Sequence, residues 1–261
     1  MDTRTPIKGI LFDLDGVLYV GSKAIEGAVE AVASIQKSHI PCRFVTNTST
    51  LSLQSLQQKI NRLGFSIAQE EIISAPQAAA LYLQKQQHPV CRFLLTEDLK
   101  NDFNMFAQSN THPDYIVIGD IGDQWTYSLL NEVFNGLMQG AKLIAIHKNR
   151  FWQTEHGLQM DIGGFIDGLE YASGVKAMVL GKPSPDFFGV VLNDMGLQPN
   201  EVAIIGDDID VDIGGGQQVG LTGILVKSGK YRQHYTDVSA VKPDFIIASV
   251  ADLPSLLGID S

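Results

Sequence analysis

Asp13 and Asp15 stand one residue apart in the run Asp13-Leu14-Asp15-Gly16-Val17-Leu18-Tyr19, directly after an apolar stretch. Two carboxylates at this spacing can divide labour, one attacking phosphorus while the other moves protons. Gly16 permits a sharp change of chain direction behind them. An ordinary acidic turn is the competing reading of the run alone. A calcium-binding loop of the EF-hand type is excluded, because its fifth and twelfth positions lack carboxylates.

Three further groups could complete such chemistry. Thr46-Asn47-Thr48 supplies a hydroxyl, an amide and backbone N–H groups, neutral donors suited to phosphate oxygens, although such a triplet is more often a cap or turn. Lys182, in Gly181-Lys182-Pro183, is either a solvated charge or a point charge that neutralises a phosphoryl group. Gly206-Asp207-Asp208-Ile209-Asp210-Val211-Asp212 packs four carboxylates into six residues. They repel one another unless they are solvated or share a hard cation such as Mg²⁺.

The elements that must position these groups alternate between apolar β-rich runs and segments of helical period. That pattern predicts an α/β fold with a mostly parallel, Rossmann-like sheet. Strands are expected at 8–14, 42–46, 91–95, 115–118, 142–146, 177–180, 202–206, 222–226 and 244–247. Ser52 is a candidate cap for a helix ending at Gly64, and Ser184 with Pro185 for a helix ending at Gly196. A turn-helix through 220 and a last helix at 250–257 complete the pattern. Each chemical group then falls at the carboxyl end of a strand, where open α/β sheets bind ligands.

The chain has 261 residues, a formal net charge of -10 and a pI near 4.9. That balance argues against a nucleic-acid partner, which needs a basic stripe. An anionic substrate would need positive charge concentrated locally by a lysine or a metal. No apolar run approaches the ~20 residues of a membrane span, and no signal peptide is evident, so no membrane partner is expected. Cys42 and Cys91 without a framework spacing suggest a reduced, cytoplasmic protein.

In the order Asp-x-Asp, Thr-Asn, Lys, Gly-Asp-Asp, the four groups resemble the four motifs of the haloacid dehalogenase superfamily. About 100 residues separate Thr-Asn from Gly-Lys-Pro. This resembles the α/β cap insertion of its NagD-like subfamily, with similarity from Lys8 to about Leu257. The resemblance implies a core of residues 1–76 and 177–261 and an inserted cap of residues 77–176 that sets substrate specificity. Within that subfamily, Ile144–Lys148, Leu169–Ala172 and Gly223–Tyr231 look closest to a single branch.

The resemblance also implies roles. Asp13 would be the nucleophile and Asp15 the general acid and base. Mg²⁺ would be held by Asp13, the Asp15 backbone carbonyl and Asp207, with Asp208 and Asp212 outside them. Thr46, Asn47 and Lys182 would hold the phosphoryl oxygens of a small phosphorylated substrate. The second acid, Asp15, favours ester hydrolysis or phosphomutase chemistry over dehalogenation. Hydrolysis of a phosphomonoester, phosphoamide or pyrophosphate is the expected reaction, with a phosphomutase or a catalytically weak binding protein as alternatives. A homodimer through the cap would fit the family. His147, at the end of a strand inside the insertion, is expected either to read substrate or to serve only as a solvated or strand-capping residue.

Overall fold

The computed structural model describes residues 6–154 and 156–259. Its larger sheet has six strands in the order Phe245–Ile247, Thr222–Val226, Val202–Gly206, Gly9–Asp13, Cys42–Thr46, Ile72–Ser74, all parallel. Gly9–Asp13 and Val202–Gly206 are buried at every position. Helices cover both faces of a parallel sheet, so its central strands read as continuous apolar runs. Ile10 and Phe12 pack toward the helices Ala28–Lys37 and Leu53–Arg62. Leu11, pointing the other way, meets Phe187, Phe188 and Val191 of the helix Pro185–Met195.

From Gly9–Asp13 the chain builds outward through Cys42–Thr46 and Ile72–Ser74. It then leaves the sheet and returns to the opposite side of Gly9–Asp13 at Val202–Gly206. This reversal of strand order opens a crevice at the carboxyl ends of the central strands.

The second sheet has five parallel strands in the order Met178–Val179, Lys142–Ala145, Tyr115–Ile118, Val90–Leu94, Ala107–Gln108. One face packs on the helix Ala75–Gln84, through Ala75, Ala79 and Leu83. The other packs on the helices Tyr127–Met138 and Gly163–Ser173, through Val133, Leu137, Ile166 and Leu169.

Several elements differ from the sequence expectation. Ile72–Ser74 is an unanticipated strand, too short for a period to emerge, and Ser74 doubles as the cap of the following helix. The strand expected at 177–180 is Met178–Val179, an edge of the second sheet, so that sheet continues past residue 176. The polar stretch after His147 contains a hairpin, Phe151–Thr154 with Gly157–Met160. Ser184 precedes its helix, but its side chain makes no capping bond.

Candidate active site

The crevice is a cleft of about 490 Å³, within the range of small-ligand sites. Both sheets face it with the carboxyl ends of their strands. Asp13 ends the strand Gly9–Asp13, Thr46 ends Cys42–Thr46, and Asp207 follows Val202–Gly206. From the second sheet, Asp120, His147 and Lys182 follow Tyr115–Ile118, Lys142–Ala145 and Met178–Val179. All six line the cleft, and Asp15, Asn47, Asp208 and Asp212 line it with them. The fold therefore brings together Asp13, Asp15, Thr46, Asn47, Lys182, Asp207, Asp208 and Asp212, whereas Asp210 of the acidic run turns away to Arg150 and Tyr235.

Lys182 is the hub. Its side chain is only 2% exposed, and Nζ donates to Asp13 Oδ1 at 2.6 Å, Asp212 Oδ1 at 2.7 Å and the Val45 carbonyl at 3.3 Å. Burial works to neutralise this ammonium, but the Asp13 and Asp212 carboxylates outweigh it and hold the proton more tightly than usual. Asn47 fixes the lysine's backbone from both sides: its Oδ1 accepts the Lys182 N–H at 2.9 Å and its Nδ2 donates to the Lys182 carbonyl at 2.8 Å. The same Nδ2 reaches Asn149 Oδ1 at 3.1 Å. The Asn47 amide is thus engaged in holding Lys182, a use that its residue type alone does not disclose. Thr46 Oγ1 accepts the Thr48 N–H and donates to the Thr48 hydroxyl, closing a tight turn beside Asp13.

The acidic loop folds as a wide π-helical turn, Ile209–Gly214. Asp208 caps it, with Oδ1 accepting the Asp210 and Val211 N–H groups, and the Asp208 N–H donates to Asp212 Oδ2. Burial raises Asp212 to about 6, against the opposing pull of Lys182. Asp207 is buried more awkwardly. Its Oδ2 accepts the Lys230 N–H at 2.7 Å, while Oδ1 has no partner among the described residues. Burial pushes Asp207 well above the usual carboxylate range.

Asp207 reaches this position only because two glycines make room. Gly16 and Gly229 both have positive φ, and a Cβ on either would overlap Asp207 Oδ2. Gly16 is held in turn by the Ser228 hydroxyl, which donates to its carbonyl at 2.6 Å. Asp15, bridged to Tyr19, also lines the cleft. Burial first, and the Asp13 charge second, raise it to about 6, where a carboxyl can both give and take a proton near neutrality.

Asp13, Asp207 and Asp212 each offer a carboxylate oxygen within 4.8 Å of the others. Seven aspartates line the cleft against three lysines. An orphaned buried oxygen, glycine walls and an excess of carboxylates fit a small hard cation such as Mg²⁺.

Several participants carry no motif signal. Lys230, half-buried in the loop after Thr222–Val226, places Nζ 3.5 Å from Asp208 Oδ2 as well as its N–H on Asp207. In sequence it figured only within Gly223–Tyr231, a stretch that carries the resemblance to one branch of the subfamily. Ser49 joins the two sheets: its Oγ accepts the Asp120 N–H at 2.9 Å and lies 3.0 Å from His147 Nε2. His147 is therefore not in a solvated loop. It is buried, with Asp161 Oδ1 3.8 Å from Nε2, and burial lowers its pKa. At the rim, Asp98 of the second sheet's side accepts from the Ser52 N–H and the Ser55 hydroxyl at the start of Leu53–Arg62.

A switch-point crevice built this way defines a class of phosphoryl-handling enzymes, and the chain belongs to the haloacid dehalogenase-like hydrolases. Residues 10–106 match the family described as haloacid dehalogenase-like hydrolase, and residues 179–253 match one described as HAD-hydrolase-like. Human phospholysine phosphohistidine inorganic pyrophosphate phosphatase is 37% identical, over 96% of this chain and 94% of its own length. Bovine haloacid dehalogenase-like hydrolase domain-containing protein 2 is 41% identical over 89% and 88%. Among solved structures, NagD from Escherichia coli K-12 superposes with a TM-score of 0.83 at 27% identity, over 95% of this chain and 98% of that one. The p-nitrophenyl phosphatase from Archaeoglobus fulgidus gives 0.88 at 25% identity, over 97% and 100%. The chain is a phosphatase of this superfamily with NagD-like architecture.

Proposed function

We propose that the chain is a Mg²⁺-dependent phosphatase that hydrolyses a small phosphorylated metabolite through an aspartyl-phosphate on Asp13. The observation that carries this reading is the Asp13 carboxylate, clamped by Lys182 at 2.6 Å and facing a cleft that also holds Asp15 and Asp207. Asp13, the Asp15 carbonyl and Asp207 are the groups that would hold Mg²⁺, with Asp212 also within reach. The ion, when bound, would neutralise phosphoryl charge that this acidic cleft otherwise repels.

An Asp13 carboxylate oxygen forms a bond to phosphorus as the bond to the leaving oxygen breaks, and Asp15 gives that oxygen its proton. Asp15, now a carboxylate, takes a proton from water as the water oxygen attacks phosphorus. The Asp13–phosphorus bond breaks, releasing orthophosphate and restoring the carboxylate. Lys182 and the Thr46 turn position and neutralise the phosphoryl oxygens, with Asn47 holding Lys182 in register. Positioning and charge dominate such transfers because little covalent work is required of the protein.

Residues 77–176 act as a cap that closes the cleft and selects substrates, a reading supported by Asp120, Trp152 and Gln153 in its lining. Cys42 and Cys91 are buried free thiols, which supports a reducing, cytoplasmic setting. Among the described residues no helix is long and apolar enough to cross a membrane.

The test is turnover of an aryl phosphate with and without Mg²⁺, for wild type and Asp13→Asn. The amide cannot form the intermediate, so the variant should fold normally and lose at least about 1,000-fold in turnover. A folded Asp13→Asn protein retaining a tenth of wild-type activity would overturn the assignment.

A further inference from the structure

Lys59 is a cation that the phosphoryl site does not use. It projects into the cleft from the helix Leu53–Arg62, where Lys182 and Lys230 are the other lysines. Those two are paired with aspartates at 2.6–3.5 Å. Lys59 has no carboxylate within ion-pair distance among the described residues. Its Nζ instead lies 4.2 Å from the centre of the Tyr19 ring, a buried platform that holds an ammonium without neutralising it.

Its position gives the unpaired charge a direction. Tyr19, the residue whose ring lies beneath Lys59, forms an isolated β-bridge with Asp15, so Lys59 stands beside Asp15. An in-line displacement puts the leaving group opposite the attacking oxygen, next to the general acid. The charge beside the leaving group is therefore an ammonium. The two carboxylates of the cleft's other wall, Asp161 and Asp120, are both engaged by backbone N–H groups. Asp161 Oδ1 accepts the Ile162 N–H at 2.7 Å beside His147, and Asp120 Oδ1 accepts the Gly122 N–H at 2.8 Å.

We propose that Lys59 reads the leaving group and selects substrates whose departing half carries a second anionic group, phosphoryl or carboxylate. The inference rests on the phosphatase reading above and names the substrate class of that site. Partial burial makes the lysine sensitive to what enters: an incoming anion replaces the water that a half-buried ammonium has lost. A neutral leaving group offers it nothing, and an amine repels it.

The test is a series of leaving groups of similar size on the Mg²⁺-loaded enzyme: phosphoglycolate, pyrophosphate, ethyl phosphate and phosphoethanolamine. The kcat/KM for phosphoglycolate, pyrophosphate or both should exceed that for ethyl phosphate about tenfold or more, with phosphoethanolamine lowest. The two anionic arms separate a carboxylate from a phosphoryl partner. In Lys59→Met the ratio of anionic to neutral substrates should collapse toward one, while Lys59→Arg should preserve it. Taking the ratio cancels any change in Asp15 common to all four substrates. Equal kcat/KM across the series, phosphoethanolamine as the best substrate, or a preference that survives Lys59→Met would each overturn the proposal. Failure of the wild type to turn over an aryl phosphate would instead remove the phosphatase reading beneath it.

Discussion

Ser49 and His147 meet in a buried contact, Oγ to Nε2 at 3.0 Å, although they lie in loops that follow strands of different sheets. Ser49 belongs to the loop that leaves Thr46, and His147 to the loop that ends in Asn149, which itself touches Asn47. The Asn149 N–H approaches His147 Nδ1 at 3.5 Å, so Nδ1 is the acceptor and Nε2–H is assigned as the donor to Ser49. A neutral imidazole satisfies both contacts. The ring thus ties the inserted sheet to the catalytic loop.

That tie should be visible in the pH dependence of stability. Burial holds His147 below its ordinary pKa of 6.5. As pH falls through about 6.5, the unfolded chain binds a proton that the native ring resists. This group's contribution to stability is therefore complete above that pH and is lost below it. His147→Gln cannot titrate, so wild type should lose stability relative to the variant between about pH 6.5 and pH 5. Urea unfolding at several pH values checks this, and parallel curves for the two proteins would refute it. Because the ring is engaged with Ser49, His147→Ala should lower turnover of all substrates alike rather than re-rank them.

Asp207 and Gly16 give a second test, with a readout independent of turnover. Mg²⁺ at 100 times its Kd should stabilise the wild-type fold by about 2.7 kcal/mol, and Asp207→Asn should lose most of that gain. Gly16→Ala should reproduce the loss, because its methyl would occupy the place of Asp207 Oδ2 and its φ is positive. Thermal unfolding with and without Mg²⁺ measures both. A full metal-dependent shift in Gly16→Ala would show that the close packing does not position the carboxylate.

The role of Asp15 is read from leaving groups of different basicity. Asp15→Asn should slow hydrolysis of alkyl phosphates about 100-fold or more, and that of p-nitrophenyl phosphate much less, since nitrophenolate departs without a proton. Steady-state kinetics across a series of aryl and alkyl phosphates supplies the slope. An equal loss on every substrate would reduce Asp15 to a structural residue.

Much of this was legible in the chain because it is local. Gly9–Asp13 and Val202–Gly206 are continuous apolar runs that end in acidic loops, so their types and the position of Asp13 and Asp207 follow from short-range pattern alone. The Ser52 cap likewise forms within four residues, its hydroxyl accepting the Ser55 N–H. What the sequence determined by itself was therefore the longer strands of the two sheets, their chemical ends and the order of the four motifs. Tertiary structure decided which of those groups touch. Asn47 finds Lys182 across 135 residues, and Lys230 comes back to Asp207 across 23. Ser49 meets His147 across 98, and Lys59 lies over Tyr19 without a carboxylate partner among the described residues. No periodicity encodes such contacts, because they depend on where separate loops converge once both sheets have packed. The short strands Ile72–Ser74 and Ala107–Gln108 escaped for the same reason: three or two residues have no period of their own, and only a neighbouring strand's hydrogen bonds make them extended.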